Sequence, residues 1–172
     1  MANKKHEIVI QDTCILLDLV DLSLLKEFFQ LDLEVYTTIQ VIDEILTEPH
    51  LSLIKSYLES DQLKIDKDGT FEAITKIFNE FAGLSFADSS VLEVAIRRDA
   101  VLFSADGSLR KISKRQKINI RGTLWVIENL YITNKIEKKT AIEKLNLYAE
   151  VNERAPKKEI IKLIQKLNED KK

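Results

Sequence analysis

Short apolar runs alternate with longer amphipathic stretches along most of the chain. The runs are rich in β-branched and aromatic residues, which is typical of buried strands, and lie at Ile8–Ile10, Leu33–Tyr36, Leu63–Ile65, Val101–Phe103 and Ile118–Ile120. Between them, apolar residues recur every three or four positions, as in helices that bury one face. This alternation predicts an α/β fold with a mostly parallel central sheet.

Capping residues and prolines indicate where helices begin and end. Thr37 or Thr38 can cap a helix that carries Ile45 and Leu46 and stops before Pro49. Two more amphipathic helices are predicted after residue 134, and no linker precedes them. We therefore predict a main domain over residues 1–134 and a C-terminal helical extension, residues 135–172, packed on the same domain.

Composition restricts the class of protein. At 172 residues and 45% hydrophobic content, the chain is long enough for one domain with its own core. The single cysteine, Cys14, is typical of a reducing cytoplasm. Residues 1–7 are polar and do not resemble a signal peptide, and no apolar run approaches the ~20 residues that span a membrane.

The net charge of −2 hides a strong local asymmetry. Residues 97–121 carry eight Lys or Arg against Asp99 and Asp106, a local charge of +6. A basic block in a mildly acidic chain is the electrostatic pattern of a protein that binds a polyanion, although a solvated helix face is an equally good interpretation.

Four acids are candidates for catalytic chemistry. Asp12 and Asp106 follow predicted strands, while Glu44 and Asp88 are expected in the first turns of helices. Function in a parallel sheet lies at the carboxyl ends of the strands. Four carboxylates gathered there would repel one another unless hard cations such as Mg²⁺ or Mn²⁺ neutralised them. Such cations could activate a water against a phosphodiester.

Each of these acids also has a structural interpretation. Asp12 can cap a helix, Asp88 can be the capping-box partner of Ser85, Asp106 can belong to a turn, and Glu44 can be solvated. No other catalytic pattern competes with the four acids. The two histidines and the cysteine are too scattered for zinc, and glycine-rich nucleotide loops and a hydrolase elbow are absent.

Four segments follow one another in a recognisable order over roughly residues 7–134. They are IVIQDTCILLDL, YTTIQVIDEIL, LSFADSSVLEVAIRRDAVLFSADGSLRKIS and INIRGTLWVIENL. They contain an opening strand with Asp-Thr, a Val-x-x-Glu helix, a Leu-Ser-x-x-Asp helix leading to Ser-x-Asp-x-x-Leu-Arg, and a Gly-Thr-Leu helix. In this order, the four segments resemble the PIN-domain family.

The resemblance implies a three-layer α/β/α fold and Mg²⁺- or Mn²⁺-dependent cleavage of RNA. Asp12, Glu44, Asp88 and Asp106 would form the catalytic pocket, with Asp12, Asp88 and Asp106 as metal ligands. Thr13 and Ser104 match hydroxyl positions that support the acids. Many small members are toxins that dimerise and are inhibited by an antitoxin protein, so a toxin–antitoxin role is implied as well.

Ser108 and the helices after residue 134 leave other functions open. Where many relatives carry a further acid, two residues after Asp106, this chain has Ser108. One alternative is therefore a catalytically silent RNA-binding module on the same fold. Another is a protein-interaction module that uses the helices after residue 134. In each RNA-binding interpretation the expected phosphate contacts are the basic residues just after Asp106, namely Arg110, Lys111, Lys114 and Arg115.

Overall fold

Five short strands form one sheet in which every neighbouring pair is parallel. A computed structural model describes residues 7–170, without the side chains of Ile8 and Val9; the polar start of the chain, residues 1–6, lies outside that range. The strand order is β3-β2-β1-β4-β5. The strands are β1 (Glu7–Gln11), β2 (Leu33–Thr37), β3 (Leu63–Ile65), β4 (Val101–Phe103) and β5 (Ile120–Arg121).

Helices connect the strands, because parallel neighbours cannot be joined by a tight hairpin. Those before the last strand are α1 (Thr13–Asp21), α2 (Leu25–Phe28), α3 (Ile39–Asp43), α4 (Glu48–Glu59), α5 (Phe71–Glu80), α6 (Phe86–Arg98) and α7 (Gly107–Arg115). Three more follow it: α8 (Thr123–Ile132), α9 (Lys138–Val151) and α10 (Lys157–Glu169). In the described part of the chain, no helix is long and apolar enough to cross a membrane.

The helical connections cover both faces of the sheet. Across the sheet, the connections from β1 through β2 to β3 lead towards one edge, and the connection from β4 to β5 leads towards the opposite edge. Right-handed crossovers therefore place α4 and α7 on opposite faces. The central strand β1 pairs with β2 through Ile10 and Tyr36, and with β4 through Gln11 and Phe103. The predicted three-layer α/β/α fold is confirmed, and its sheet is parallel throughout.

The described chain divides into two compact units. The first contains the sheet, with the chain up to Leu17 and Asp32–Gly122. The second contains Asp18–Leu31 and the chain from Thr123 onward, so α8 belongs with α9 and α10. The domain limits predicted from the sequence, at residues 134 and 135, remain a prediction.

The second unit is held by an apolar helical core and one buried acid. Leu130, Leu145 and Leu163 are buried on α8, α9 and α10. The Asp18 carboxylate accepts hydrogen bonds from Thr123 Oγ1 at 2.6 Å and Asn152 Nδ2 at 2.9 Å. Burial raises the pKa of Asp18, and these hydrogen bonds oppose that rise. The acid thereby joins the end of α1 to the start of α8 and to the residue that follows α9.

The helix predicted after Thr38 is shorter than expected. It ends at Asp43, and Leu46 beyond it is 89% exposed. The prediction was wrong because Pro49 was interpreted as a stop signal. A proline also fits the first turn of a helix, where no N–H donor is needed, and Pro49 lies in the first turn of α4.

Candidate functional site

Asp12 lies at the carboxyl end of the central strand and begins the first helix. Its main-chain N–H extends the pairing with β4 by donating to Phe103 O at 3.2 Å. Its carboxylate accepts from the main-chain N–H of Ile15 at 3.0 Å and from the Ser104 hydroxyl. The residue is only 1% exposed. The predicted capping role is therefore real, and it holds the carboxylate at the edge of the sheet.

Ser104 follows the neighbouring strand β4 and links two acids. Its hydroxyl donates to Asp12 and accepts from the main-chain N–H of Asp106 at 3.0 Å. Asp106 in turn caps α7, because its Oδ1 accepts from the main-chain N–H of Leu109 at 2.8 Å. Adjacent parallel strands end at the same edge, which brings these groups together.

Glu44 joins this group through Thr13, the residue after Asp12. The Thr13 hydroxyl donates to Glu44 Oε2 at 2.7 Å. Glu44 directly follows α3 and does not lie in the first turn of a helix, so its predicted position was wrong. The short helix is held at its start by the Thr38 cap, whose hydroxyl hydrogen-bonds to Ser90 on α6 at 2.6 Å.

Asp88 occupies the first turn of α6 in a reciprocal capping box. Ser85 N–H donates to Asp88 Oδ2 at 3.0 Å, and Asp88 N–H donates to Ser85 Oγ at 3.0 Å. This predicted motif uses one oxygen of the carboxylate. Among the described residues, no donor bonds to the other oxygen of Asp88, or to the second oxygen of Asp106 or Glu44.

The four residues Asp12, Glu44, Asp88 and Asp106, called the acid site below, interact electrostatically. Burial raises the pKa of Asp12 to about 7, against the hydrogen bonds from Ser104 and Ile15, and the charges of Asp88 and Asp106 add to the rise. Burial also raises the pKa of Asp88, with contributions from Asp106 and Glu44. Within residues 7–170, no Lys or Arg forms an ion pair with any of the four.

The acid site offers the oxygen ligands that a hard divalent cation prefers. Carboxylate and hydroxyl oxygens are the ligands that Mg²⁺ and Mn²⁺ prefer. In the described part of the chain, no three His, Cys, Asp or Glu side chains are grouped closely enough to hold a metal ion by themselves. Mg²⁺ normally keeps several waters and uses one or two carboxylates. The unbonded oxygens of Asp88 and Asp106 therefore fit such an ion.

A second group of acids is paired with two arginines. Asp66 accepts from Arg97 Nη2 and Arg98 Nε, each at 2.5 Å, while Glu93 accepts from Arg97 at 2.8 Å and Asp68 from Arg98 at 3.2 Å. Burial alone would raise the pKa of Asp66, but the two arginines outweigh it and lower the pKa. These five residues are called the paired cluster below.

The pairing divides the basic block of the sequence. Arg97 and Arg98 belong to the paired cluster, and Arg121 pairs with Glu7 at 2.7 Å. The predicted phosphate contacts lie on α7, where Arg110 is half-buried and Lys111, Lys114 and Arg115 are exposed. These three exposed cations have no ion-pair partner within the described range.

Comparison with known proteins places the chain in a family. A sequence model described as PIN domain matches residues 8–169, which is nearly the whole chain. The chain belongs to the PIN-domain family. The family suggested by the four motifs is thereby confirmed, and the matched region includes the helices after residue 134. A search of curated proteins found no match.

PIN domains are generally nucleases, so this PIN-domain chain has a nuclease-type fold. The four acids predicted from the sequence are brought together at one edge of its sheet, while their individual roles remain predictions. The sequence analysis contained Gly122 in the Gly-Thr-Leu motif but gave it no role, and the structure places it beside Arg110 and Ser104. A glycine directly after the last strand, where the backbone can approach another chain segment closely, was a further signal for its place.

Proposed function

We propose that this PIN-domain protein is a Mg²⁺- or Mn²⁺-dependent endoribonuclease. The observation that carries the proposal is a group of four acids whose like charges repel one another. Within residues 7–170, these acids have no cationic partner. A carboxylate as buried as Asp12, with its pKa raised to about 7, is typical of functional sites and needs a positive charge to stay ionised.

Each acid has a distinct task in this proposal. Asp88 and Asp106 offer their unbonded oxygens to the cation, and Asp12 adds its negative charge beside them. The cation, when bound, would lower the pKa of a water and stabilise the leaving oxygen of the phosphodiester. Glu44, oriented by the Thr13 hydroxyl, accepts the proton of the attacking water. Ser104 keeps the Asp12 carboxylate in place through its hydrogen bond.

The exposed cations of α7 supply the attraction for RNA. Lys111, Lys114 and Arg115 follow Asp106 on the same helix, so they can neutralise phosphates on either side of the cleaved bond. Their contribution should weaken as salt concentration rises, because binding phosphates releases counterions. These cations account for binding of a nucleic-acid backbone, and RNA is the substrate that the family resemblance implies. The cytoplasm, which suits a chain with one cysteine, is the proposed location.

The test is cleavage of single-stranded RNA by the purified protein with Mg²⁺ or Mn²⁺, and with EDTA as the metal-free control. We expect Asp12→Asn and Asp88→Asn to lower cleavage about 100-fold or more, the size of effect seen when a group that stabilises developing charge is removed. Asp43→Asn, next to Glu44 but outside the acid site, should cleave like the wild type. Equal cleavage by all four proteins would mean that a contaminating nuclease is responsible.

One extension of the proposal and one alternative to it have their own readouts. A toxin role predicts that induced expression stops growth of the host cell and that Asp12→Asn removes this effect. A silent RNA-binding module predicts salt-dependent RNA binding without cleavage at any divalent-cation concentration. The missing acid at Ser108 is the observation that favours this second candidate function.

A further inference from the structure

Arg110 lies one helical turn after Asp106, and its guanidinium turns inward to the protein backbone. Its Nη1 donates to the main-chain carbonyl of Ser104 at 3.0 Å. Ser104 itself is fully buried. A hydrogen bond from a charged donor is roughly twice as strong as a neutral one. The arginine thus holds a buried peptide unit between the strand β4 and the helix α7.

Gly122 makes room for this contact. A Cβ atom at position 122 would lie 3.2 Å from Arg110 Nη1 and 3.5 Å from the Ser104 carbonyl oxygen. The first distance is tighter than most Cβ contacts, so a larger residue would require the guanidinium to shift by a few tenths of an ångström. The backbone at residue 122 therefore forms one wall of the space in which Arg110 reaches Ser104.

Each polar atom of Ser104 forms a hydrogen bond, and two of these bonds go to residues of the acid site. Its N–H donates to Arg121 O at 2.9 Å, which fixes it to β5. Its hydroxyl donates to Asp12 and accepts from Asp106 N–H at 3.0 Å. Arg110 completes the set at the carbonyl. Movement of this one residue would therefore disturb both acids.

We infer that Arg110 is a positioning residue of the acid site, held against Gly122, and that its main task is to fix Ser104 rather than to bind RNA phosphate. The inference rests on the proposed function, because it assigns a role within that site. It also separates Arg110 from its neighbour Lys111, which is exposed and has no ion pair within residues 7–170.

The experiment compares Arg110→Gln, Gly122→Ala and Lys111→Gln with the wild type. RNA binding is measured in EDTA over a range of salt concentrations, and Mn²⁺ affinity is measured by calorimetry without RNA. The values of kcat and KM are measured with Mn²⁺ and RNA both present. Loss of an outer partner of a metal ligand typically costs 10- to 100-fold in metal affinity or activity. We expect losses of about that size for Arg110→Gln and Gly122→Ala, in Mn²⁺ affinity and kcat, with metal-free RNA binding and KM nearly unchanged.

Lys111→Gln should behave in the opposite way. It should weaken RNA binding and reduce the salt dependence by about one counterion, as expected for a phosphate contact, while Mn²⁺ affinity stays the same. Arg110→Lys keeps the charge but replaces the planar fork by a single point donor, so it should recover only part of the loss. Thermal unfolding of every variant serves as the control for folding.

The inference is overturned if Arg110→Gln weakens RNA binding in EDTA and leaves Mn²⁺ affinity and kcat unchanged. It is also overturned if the variant changes none of these quantities. Amide hydrogen exchange at Asp106, measured without metal or RNA, should become faster in Arg110→Gln, because its partner Ser104 is released. A wild type that neither cleaves RNA nor binds Mn²⁺ would refute the proposed function, and the exchange result would still decide whether Arg110 positions Ser104.

Discussion

Asp12 and Asp66 are both buried aspartates that directly follow a strand of the same sheet, yet their pKa values move in opposite directions. Asp12 receives its hydrogen bonds from a hydroxyl and a main-chain N–H, and burial raises its pKa to about 7. Asp66, 8% exposed, receives its bonds from two guanidinium groups that lower its pKa despite burial. Burial alone therefore does not decide the direction of the pKa shift of a carboxylate. The charge of its hydrogen-bond donors decides whether burial is outweighed.

The difference separates acids that have an arginine partner from acids that have none within residues 7–170. The paired cluster contains two arginines as counter-charges, which lower the pKa of Asp66 and stabilise the folded chain. The acid site lacks them in the described part of the chain, so its acids destabilise the fold whenever they are ionised without a cation. Four measurements test this contrast, and they are given from the largest expected effect to the smallest.

Asp12→Asn should stabilise the metal-free protein at high pH and have little effect near pH 4. Because the pKa of folded Asp12 is raised from 3.8 to about 7, the folded chain keeps a proton that the unfolded chain releases, and stability falls as pH rises through that window. The variant removes this loss, which is at most about 4 kcal/mol at pH 8. Urea unfolding in EDTA from pH 4 to 8 measures it, and a difference that is constant over this range contradicts the contrast.

Divalent cations should stabilise the wild type through the acid site alone. At a free Mn²⁺ concentration 100 times its Kd, the expected gain in unfolding free energy is about 2.7 kcal/mol. Asp12→Asn and Asp88→Asn should lose most of this gain, whereas Asp66→Asn should keep it. Thermal unfolding with increasing Mn²⁺ provides the readout, and equal shifts in all variants would locate the cation elsewhere.

Asp66→Asn should destabilise the protein at neutral pH by about 2 kcal/mol. Breaking a fully buried ion pair typically costs about 3–5 kcal/mol, and we expect less because the side chains of Arg97 and Arg98 remain 30% and 24% exposed. The lowered pKa of Asp66 means that this stability is present above pH 3.8 and disappears as pH falls through the pKa of the folded state. Urea unfolding at pH 7 and pH 3 checks the sign, with the exposed Asp43→Asn as control.

Asp68→Asn should have the smallest effect, about 0.5 kcal/mol or less. Its carboxylate contacts Arg98 at 3.2 Å, but the side chain is largely exposed, and exposed ion pairs contribute little. The same urea experiment at pH 7 measures it. A loss as large as that of Asp66→Asn would mean that the paired cluster acts as one cooperative unit.

Most of the fold could be predicted because its signals are local. Short β-branched runs mark the strands, and the Ser85 and Asp88 capping box marks the start of α6 within four residues of sequence. The convergence of Asp12 and Asp106 at one edge followed from the parallel sheet, since the carboxyl ends of its strands meet there. The cap of α3 could also be predicted locally, as Thr37 or Thr38, because threonine is a common residue before the first turn of a helix.

The rest depended on contacts between residues far apart in the chain. Arg97 and Arg98 were grouped with the basic block because charge counts carry no information on partners some thirty positions away, such as Asp66. The end of α3 before Glu44 was missed because Pro49 has two structural interpretations. The contact of Arg110 with Ser104 requires the backbone at Gly122, and no spacing in the sequence announces it.

The capping bonds of Asp12 and Asp106 have an evolutionary consequence. Both carboxylates accept a main-chain N–H three residues ahead, and asparagine caps a helix about as well as aspartate. Aspartate and asparagine codons differ by one nucleotide. A single substitution can therefore remove a charge from the site while both helix starts survive. Under the proposed function, inactive descendants that still fold lie one mutation away, and a lineage that no longer needs cleavage can keep the scaffold for binding alone.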